Sequence, residues 1–467
     1  MRDGLNRRDF LRMAGTGAAL AVLPRALLAD LPDAGGARPN FVLVMADDMG
    51  WGDLAANGSN AFVKTPHLDA MAAAGVRFSR FYAASPLCSP TRAAFLSGRY
   101  PSRYACFVPG ESLPAGEVTI AESLRAAGYA TGHFGKWHVG SMNAKEPDSP
   151  PGQGFQTSFS IANSYMVHKM DVRFLRQGKP EQSQGYCEDV IMGEALKFIR
   201  ASVAEKRPFL AVVWNMAVHD PFESPERLRA LYADRPEKER PYWGMVSAID
   251  ENIGRLRRTL RELRVADNTL VLYTSDNGAV GPSRAHMPFS GGKHNIWEGG
   301  LRVPGVVEWP ARIARPFASD VPVYTCDLFP TVLAAAGVAI PLNFRPLDGM
   351  NILPVLDGRM RERPKPIVFH FDDFKRKARK GPFGSNGFAV VDGRFKWMTD
   401  LQGAGGRLFD VLTDPAEKTD TAAERKDVAA RLEAVRAKWW TEVQAEPAFR
   451  PADAPSPSRG TKKPATQ

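Results

Sequence analysis

Three apolar, β-branched-rich runs set the tightest limit on what this chain can fold into. They are NFVLVMADD (40–48), PFLAVVWNM (208–216) and NTLVLYTSDNG (268–278). None alternates apolar with polar residues, so each reads as a strand buried on both faces. VPGVVEWP (303–310) is a weaker fourth candidate. Helical patterns lie between them: HLDAMAAAGVRF (67–78), VTIAESLRAAGY (118–129) and VSAIDENIGRLRRTLREL (246–263). Strands alternating with helices predict an α/β fold, a large, mostly parallel sheet sandwiched by helices. No internal repeat is present.

After Asp348 the pattern changes. GFAVVDGRFKWMTD (387–400) reads as a β-hairpin turning at DG, and a long amphipathic helix is expected over about 422–445. This predicts a smaller C-terminal α+β subdomain, residues 349–450, with an antiparallel sheet, after a large α/β domain over 30–348. The proline-rich end, 451–467, reads as disordered. At the other end, residues 1–29 carry a twin arginine (Arg7, Arg8), a short apolar run and small residues near Ala29. That run is too short to span a bilayer, so the segment is read as a cleaved twin-arginine export signal, leaving no stable membrane insertion. The expected location is periplasmic or secreted. The chain carries a net charge of +10, of which +7 remains without residues 1–29. No arginine-rich arm or aromatic-interleaved basic groove accompanies it, so nucleic acid is not the expected partner; the charge suits a small or polymeric anion and equally an ordinary solubility charge. Four isolated cysteines (88, 106, 187, 326) lack CxxC spacing, which argues against zinc. KRKARKGPFGSNG (375–387) reads as a basic surface loop.

The chemistry gathers where strands end. The first run leads into Asp47 and Asp48, the third into Asp276 and Asn277, and the second passes Asn215 to reach His219 and Asp220. Ligands of open α/β sheets sit beyond the carboxyl ends of the strands. Two acidic or amide pairs there suit a hard divalent cation, calcium or magnesium. GYATGHFGKWHVG (128–140) brings His133, Lys136 and His138, and GGKHNIWEGG (291–300) brings Lys293. His133 is expected to be structural. SPLCSPTRAAFLSGRY (85–100) opens a helix, with Ser89 as the expected cap, Pro90 in the first turn, and Arg92 one turn beyond Cys88 on the same face. Three cations, a metal and imidazoles together would stabilise a multiply charged oxyanion.

These residues resemble the sulfatase family of the alkaline-phosphatase superfamily. CSPTR with SGRYPSR matches its Cys-x-Pro-x-Arg signature, and GYATGHFGKWH matches its second; ADDMGWGD, SDNG, GGK-x4-EGG, LDGMNILPVLDGR and LFDVLTDPAEKTD follow in the family's order. The resemblance implies that a formylglycine-generating maturation enzyme oxidises Cys88 to formylglycine. By the same resemblance, the hydrate of that aldehyde would attack a sulfate ester, displace the alcohol to leave a sulfated enzyme, and then expel sulfate. It further implies calcium held by Asp47, Asp48, Asp276, Asn277 and residue 88, with Arg92 on the hydrate and Lys136 and Lys293 on sulfate oxygens. His138 would accept the proton that releases sulfate, and His219 with Lys293 would serve the leaving oxygen. HDPFESP (219–225) departs from many members, which carry a further histidine or a differently shaped loop there. Related activities would be phosphonate monoester or phosphodiester hydrolysis, or non-catalytic binding of sulfated glycans; the intact residue set argues against the last. Substrate choice is expected to lie in loops 141–155, 163–187 and 371–387, and export together with the basic loop favours polysaccharide fragments.

Overall fold

The computed structural model describes residues 38–340, 344–373, 384 and 386–446. The expected export signal, the C-terminal tail and most of the basic loop lie outside them.

The described residues build a ten-stranded sheet. Its spatial order is β12 (Phe317–Ser319), β2 (Val76–Phe78), β11 (Gly305–Glu308), β9 (Thr269–Ser275), β1 (Asn40–Ala46), β8 (Phe209–Trp214), β4 (Ala130–Lys136), β5 (Thr157–Ile161), β6 (Arg173–Arg176) and β7 (Lys179–Gln182). The five strands from β9 to β5 run parallel; β11 is antiparallel to both its neighbours, and so is β6. The three sequence runs are β1, β8 and β9, three adjacent strands. Alternate residues of β1 explain why they carry no polar positions. Phe41, Leu43 and Met45 enter one core, whereas Val42, Val44 and Ala46 enter the other. Helices Cys88–Ser97, Ile120–Ala126 and Leu328–Ala335 cover the first face through Phe95, Leu124 and Phe329. Helices Pro66–Ala74, Cys187–Ala204 and Arg240–Glu262 cover the second through Leu68, Ile191 and Ile253. Fully burying a large aliphatic side chain contributes about 1.5–3 kcal/mol, so the two cores supply most of the cohesion.

Two expectations need correction. The helix predicted over 67–78 ends at Ala74, and Val76–Phe78 is strand β2. Gly75 allows this, since a Cβ there would stand 2.0 Å from the Val307 carbonyl oxygen of β11. Ser89 is not a helix cap either: the helix starts at Cys88 after Leu87, and Ser89 Oγ donates to the His138 carbonyl oxygen at 2.6 Å.

β3 (Phe81–Tyr82), β10 (Arg302–Val303) and β13 (Val323–Tyr324) form a small three-stranded sheet. The C-terminal part is an antiparallel sheet of β14 (Ile367–Phe371), β15 (Gly387–Asp392), β16 (Phe395–Thr399) and β17 (Arg407–Asp410), packed by helix Lys426–Gln444. The expected hairpin is β15–β16, closed by the two residues Gly393 and Arg394, with Gly393 at φ 55°. Among the described residues no helix is long and apolar enough to cross a membrane.

Candidate active site

Four adjacent strands, β9, β1, β8 and β4, deliver their C-terminal residues to one point. β1 hands over Asp47 and Asp48, and β9 hands over Asp276 and Asn277. The two ends are stitched together: Asp276 N donates to the Ala46 carbonyl oxygen at 3.1 Å, and Asp48 N to Asp276 Oδ1 at 3.1 Å. Asp48 adopts φ 69°, a left-handed turn that bends the chain straight after Asp47. Helix Cys88–Ser97 brings its first residue into the same place. Cys88 Sγ lies 3.6 Å from Asp47 Oδ1, 3.9 Å from Asp48 Oδ1 and 3.4 Å from Asn277 Oδ1. Ligand atoms of Asp47, Asp48, Cys88 and Asp276 all fall within 4.8 Å of one another, and all four residues are buried.

Three buried carboxylates would repel one another without cations, and three cations are present. Arg92 donates Nε and Nη2 to Asp276 Oδ2 at 3.0 and 2.7 Å, and Nη1 to the Lys136 carbonyl oxygen at 3.0 Å. Lys136 Nζ donates to Asp47 Oδ2 at 2.7 Å, and Lys293 Nζ to both oxygens of Asp48 at 2.6 and 2.7 Å. Burial works against charge on Asp47, yet Lys136, His219, Arg92 and Lys293 outweigh it and hold its carboxyl well below the usual range. Asp276 goes the other way, pushed up to about 6 by burial and by Asp47 beside it. Burial, then Asp276, also drives the Cys88 thiol well above the ordinary thiol range, so in this arrangement it keeps its proton.

β4 carries Lys136 into place by an unusual approach. Gly135 has φ 100°, and a Cβ there would stand 1.9 Å from the Trp214 carbonyl oxygen of β8. Beyond it, His138 (φ 58°) is buried with Nδ1 unpartnered, and burial, then Lys136 and Arg92, hold its imidazole neutral. His219 follows β8. Its Nδ1 lies 2.8 Å from the Asp220 carbonyl oxygen, which can only accept, so Nδ1 carries hydrogen and Nε2 faces Asp48 Oδ2 at 3.7 Å. His133 is structural, as expected: it is fully buried among Trp137, Trp214 and Phe155, with Nδ1 on Ser160 Oγ at 2.8 Å. The structure therefore gathers Asp47, Asp48, Cys88, Arg92, Lys136, Asp276, Asn277 and Lys293 with His219 and His138 around them, whereas Asn215 is turned to Glu188 and Asp220 is half exposed.

Residues 39–338 match the family model described as Sulfatase, and residues 291–440 match the model described as N-sulphoglucosamine sulphohydrolase, C-terminal. This chain belongs to the sulfatase family. Its class is therefore that of the sulfuric ester hydrolases. The sulfatase is 35% identical over 407 residues to the N-acetylgalactosamine-6-sulfatase of Canis lupus familiaris, covering 77% of this chain and 71% of that one. It is 30% identical over 433 residues to the steryl-sulfatase of Homo sapiens, covering 72% of each. Among solved structures, Ps i-CgsB in complex with k-i-k-neocarrahexaose superposes with a TM-score of 0.78 at 27% identity, covering 88% of this chain and 95% of that one.

Sequence reasoning missed residues that hold the sulfatase site in shape. Ser164 Oγ donates to Asp47 Oδ2. Glu188, fully buried, accepts from Met216 N at 3.0 Å, Ala217 N at 2.8 Å and Asn215 Nδ2, fixing the chain between β8 and His219. Neither sits in a motif; Ser164 follows the end of β5, a strand the sequence did not mark, and Glu188 lies in the first turn of a helix. All four cysteines are free and buried. The flanks of the basic loop lie beside the site: His294 Nδ1 is 3.7 Å from Asp373 Oδ2, and Ile296 N donates to the Gly384 carbonyl oxygen at 2.8 Å.

Proposed function

We propose that this sulfatase hydrolyses sulfate esters of carbohydrates or aryl alcohols, using calcium and a formylglycine hydrate derived from Cys88. The observation that carries the reading is the convergence of three carboxylates and Asn277 on Cys88 inside a ring of three cations. Asp47, Asp48, Asp276 and Asn277 offer hard oxygen donors that fit calcium, which takes about six to eight such ligands, and residue 88 would add another once its thiol is converted to the aldehyde hydrate. Arg92, Lys136 and Lys293 already balance the three carboxylates. A divalent cation would leave the cluster positive and attractive to an anionic ester.

The aldehyde hydrate would supply an oxygen nucleophile with a second hydroxyl through which sulfate is expelled, and the cation would draw charge from the sulfate oxygens. The remaining work falls to the chain's own side chains. The Lys136 and Lys293 ammoniums, fixed beside residue 88, would take the outer sulfate oxygens as charge builds. Arg92 holds Asp276 and the end of β4 in register. His138, held neutral, would accept the proton that releases sulfate, and His219 would deliver one to the leaving oxygen from Nε2.

The N-terminal segment adds an order of events. Twin-arginine export carries folded protein, and Cys88 is buried once folded; its conversion therefore belongs in the cytoplasm, before export to the periplasm. Peptide mass spectrometry of exported protein should show the aldehyde at position 88, and only free cysteine there would count against it. The function itself is tested with a panel of sulfated sugars, aryl sulfates, aryl phosphonates and phosphodiesters, with and without calcium. Sulfate-ester hydrolysis abolished by chelation and by Cys88→Ala is expected. Unchanged activity in Cys88→Ala, or preference for a phosphoryl substrate, would overturn it. Calcium should also raise the melting temperature of the protein as purified, because an ion bound only to the folded state stabilises it.

A further inference from the structure

The interior of the site is charged and polar, so it distinguishes little about the group attached to sulfate. Its mouth is different. Tyr165 and Met166 stand 59% and 74% exposed, and the Tyr165 ring meets His219 edge-on with centroids 6.3 Å apart. His219 is the residue assigned to the leaving oxygen, so Tyr165 stands beside the group that would depart.

The loop that carries Tyr165 is held at both ends. Ser164 Oγ donates to Asp47, a carboxylate of the site. The buried Lys169 ammonium donates to the carbonyl oxygens of Ser164 at 3.2 Å and Val167 at 3.1 Å. Glu223, four residues after His219, accepts from Lys169 N at 2.8 Å and lies 2.7 Å from His168 Nδ1. Met166 has φ 56°, a left-handed conformation that a non-glycine residue rarely adopts. A strained, anchored loop thus presents two large apolar side chains to solvent beside a reactive centre. An exposed aromatic face beside polar groups can pack against an apolar face of a ligand while its neighbours hydrogen-bond the ligand's polar edge. Here the rim is His168 and Glu223, and the apolar element is an aromatic ring.

We propose that Tyr165 is the specificity-determining residue for the leaving group: its ring packs against the C–H face of a pyranoside, and the polar rim meets that sugar's hydroxyls. The proposal rests on the sulfate-ester reading above and names what that reading leaves open. A pyranoside suits the combination better than a bare aryl ring, which has no use for the polar rim.

The test compares wild type, Tyr165→Ala and Tyr165→Phe as full-length, aldehyde-bearing protein. N-acetylgalactosamine 6-sulfate, N-acetylglucosamine 6-sulfate and 4-nitrophenyl sulfate serve as substrates, with inorganic sulfate as a competitive probe of the sulfate end. Tyr165→Ala should raise KM for the turned-over sugar sulfate about tenfold, with a much smaller fall in kcat, and Tyr165→Phe should restore most of the loss. The inhibition constant of inorganic sulfate should stay put. An unchanged KM in Tyr165→Ala, or a parallel rise in the sulfate inhibition constant, would overturn the proposal. So would a wild-type protein that hydrolyses 4-nitrophenyl sulfate but neither sugar. Hydrolysis of none of the three would instead defeat the sulfate-ester reading itself.

Discussion

One guanidinium, that of Arg92, joins three elements at the bottom of the site. It donates to Asp276 after β9 and to the last carbonyl of β4 from a helix that starts at Cys88, and its face lies 5.0 Å from the Trp214 ring of β8. Removing it leaves a buried carboxylate without its cation. Arg92→Met should therefore cost about 3–5 kcal/mol in urea denaturation as well as activity. Arg92→Lys keeps the charge but loses the planar fork, so most of the activity loss should remain. Lys293 sits closer to the opening, with its side chain 11% exposed. Lys293→Ala should lower kcat/KM about 10²–10³-fold, the usual effect of deleting one oxyanion donor; a fall below tenfold would remove Lys293 from the charge-stabilising set. Arg92 and Lys293 were legible because each sits in a short run with Cys88 or with paired glycines. Ser164 was not, since a lone serine touching Asp47 from 117 residues away leaves no local trace.

Among the elements, β4 is where backbone geometry and chemistry are most tightly bound. Gly135 lies against the β8 backbone at a positive φ, one residue before Lys136. Gly135→Ala must push β4 away from Trp214 or twist it. The expected cost is about 2 kcal/mol or more, with activity falling through a displaced Lys136. Urea denaturation and kcat/KM on the same preparation check it, and wild-type values in both would refute it. Element type was readable wherever a run was buried on both faces, as in β1, β8 and β9. Boundaries were less so: helical periodicity ran past Ala74 into β2, because Gly75 takes its place from contact with Val307, which no local pattern records.

At the scale of the molecule, the C-terminal sheet is built into the catalytic part. Lys396 of β16 is buried between Glu298, five residues beyond Lys293, and Glu417, with Nζ 3.0 and 2.8 Å from their carboxylates. His370 of β14 is buried against Trp440 and Phe388, its Nδ1 2.8 Å from Ser102 Oγ, and burial lowers its pKa to about 3. The sign follows from proton binding. At neutral pH and above, both folded and unfolded states hold this histidine neutral. As pH falls through about 6.5 the unfolded chain takes a proton that the folded chain refuses until about pH 3, so stability is lost across that window. His370→Asn, which keeps a group near Ser102 but does not titrate, should flatten part of this acid limb in melting temperatures measured from pH 7 to pH 4. An unchanged slope would assign the limb to other groups.

The amino-acid sequence by itself determined the parts: which strands are buried on both faces, which residues end them, and the ordered signatures around Cys88 and Lys136. These follow from short-range rules, hydrophobic period and residue chemistry within a dozen positions. Only the tertiary structure decided how the parts meet. The adjacency of β9, β1, β8 and β4 places Asp276, Asp47, His219 and Lys136 side by side; there the surrounding cations outweigh burial at Asp47, whereas burial and the neighbouring Asp47 outweigh Arg92 at Asp276, so the two shift in opposite directions. Ser164, Glu188 and Tyr165 owe their places to contacts between segments far apart in the chain, and distance through space is what a linear pattern does not encode.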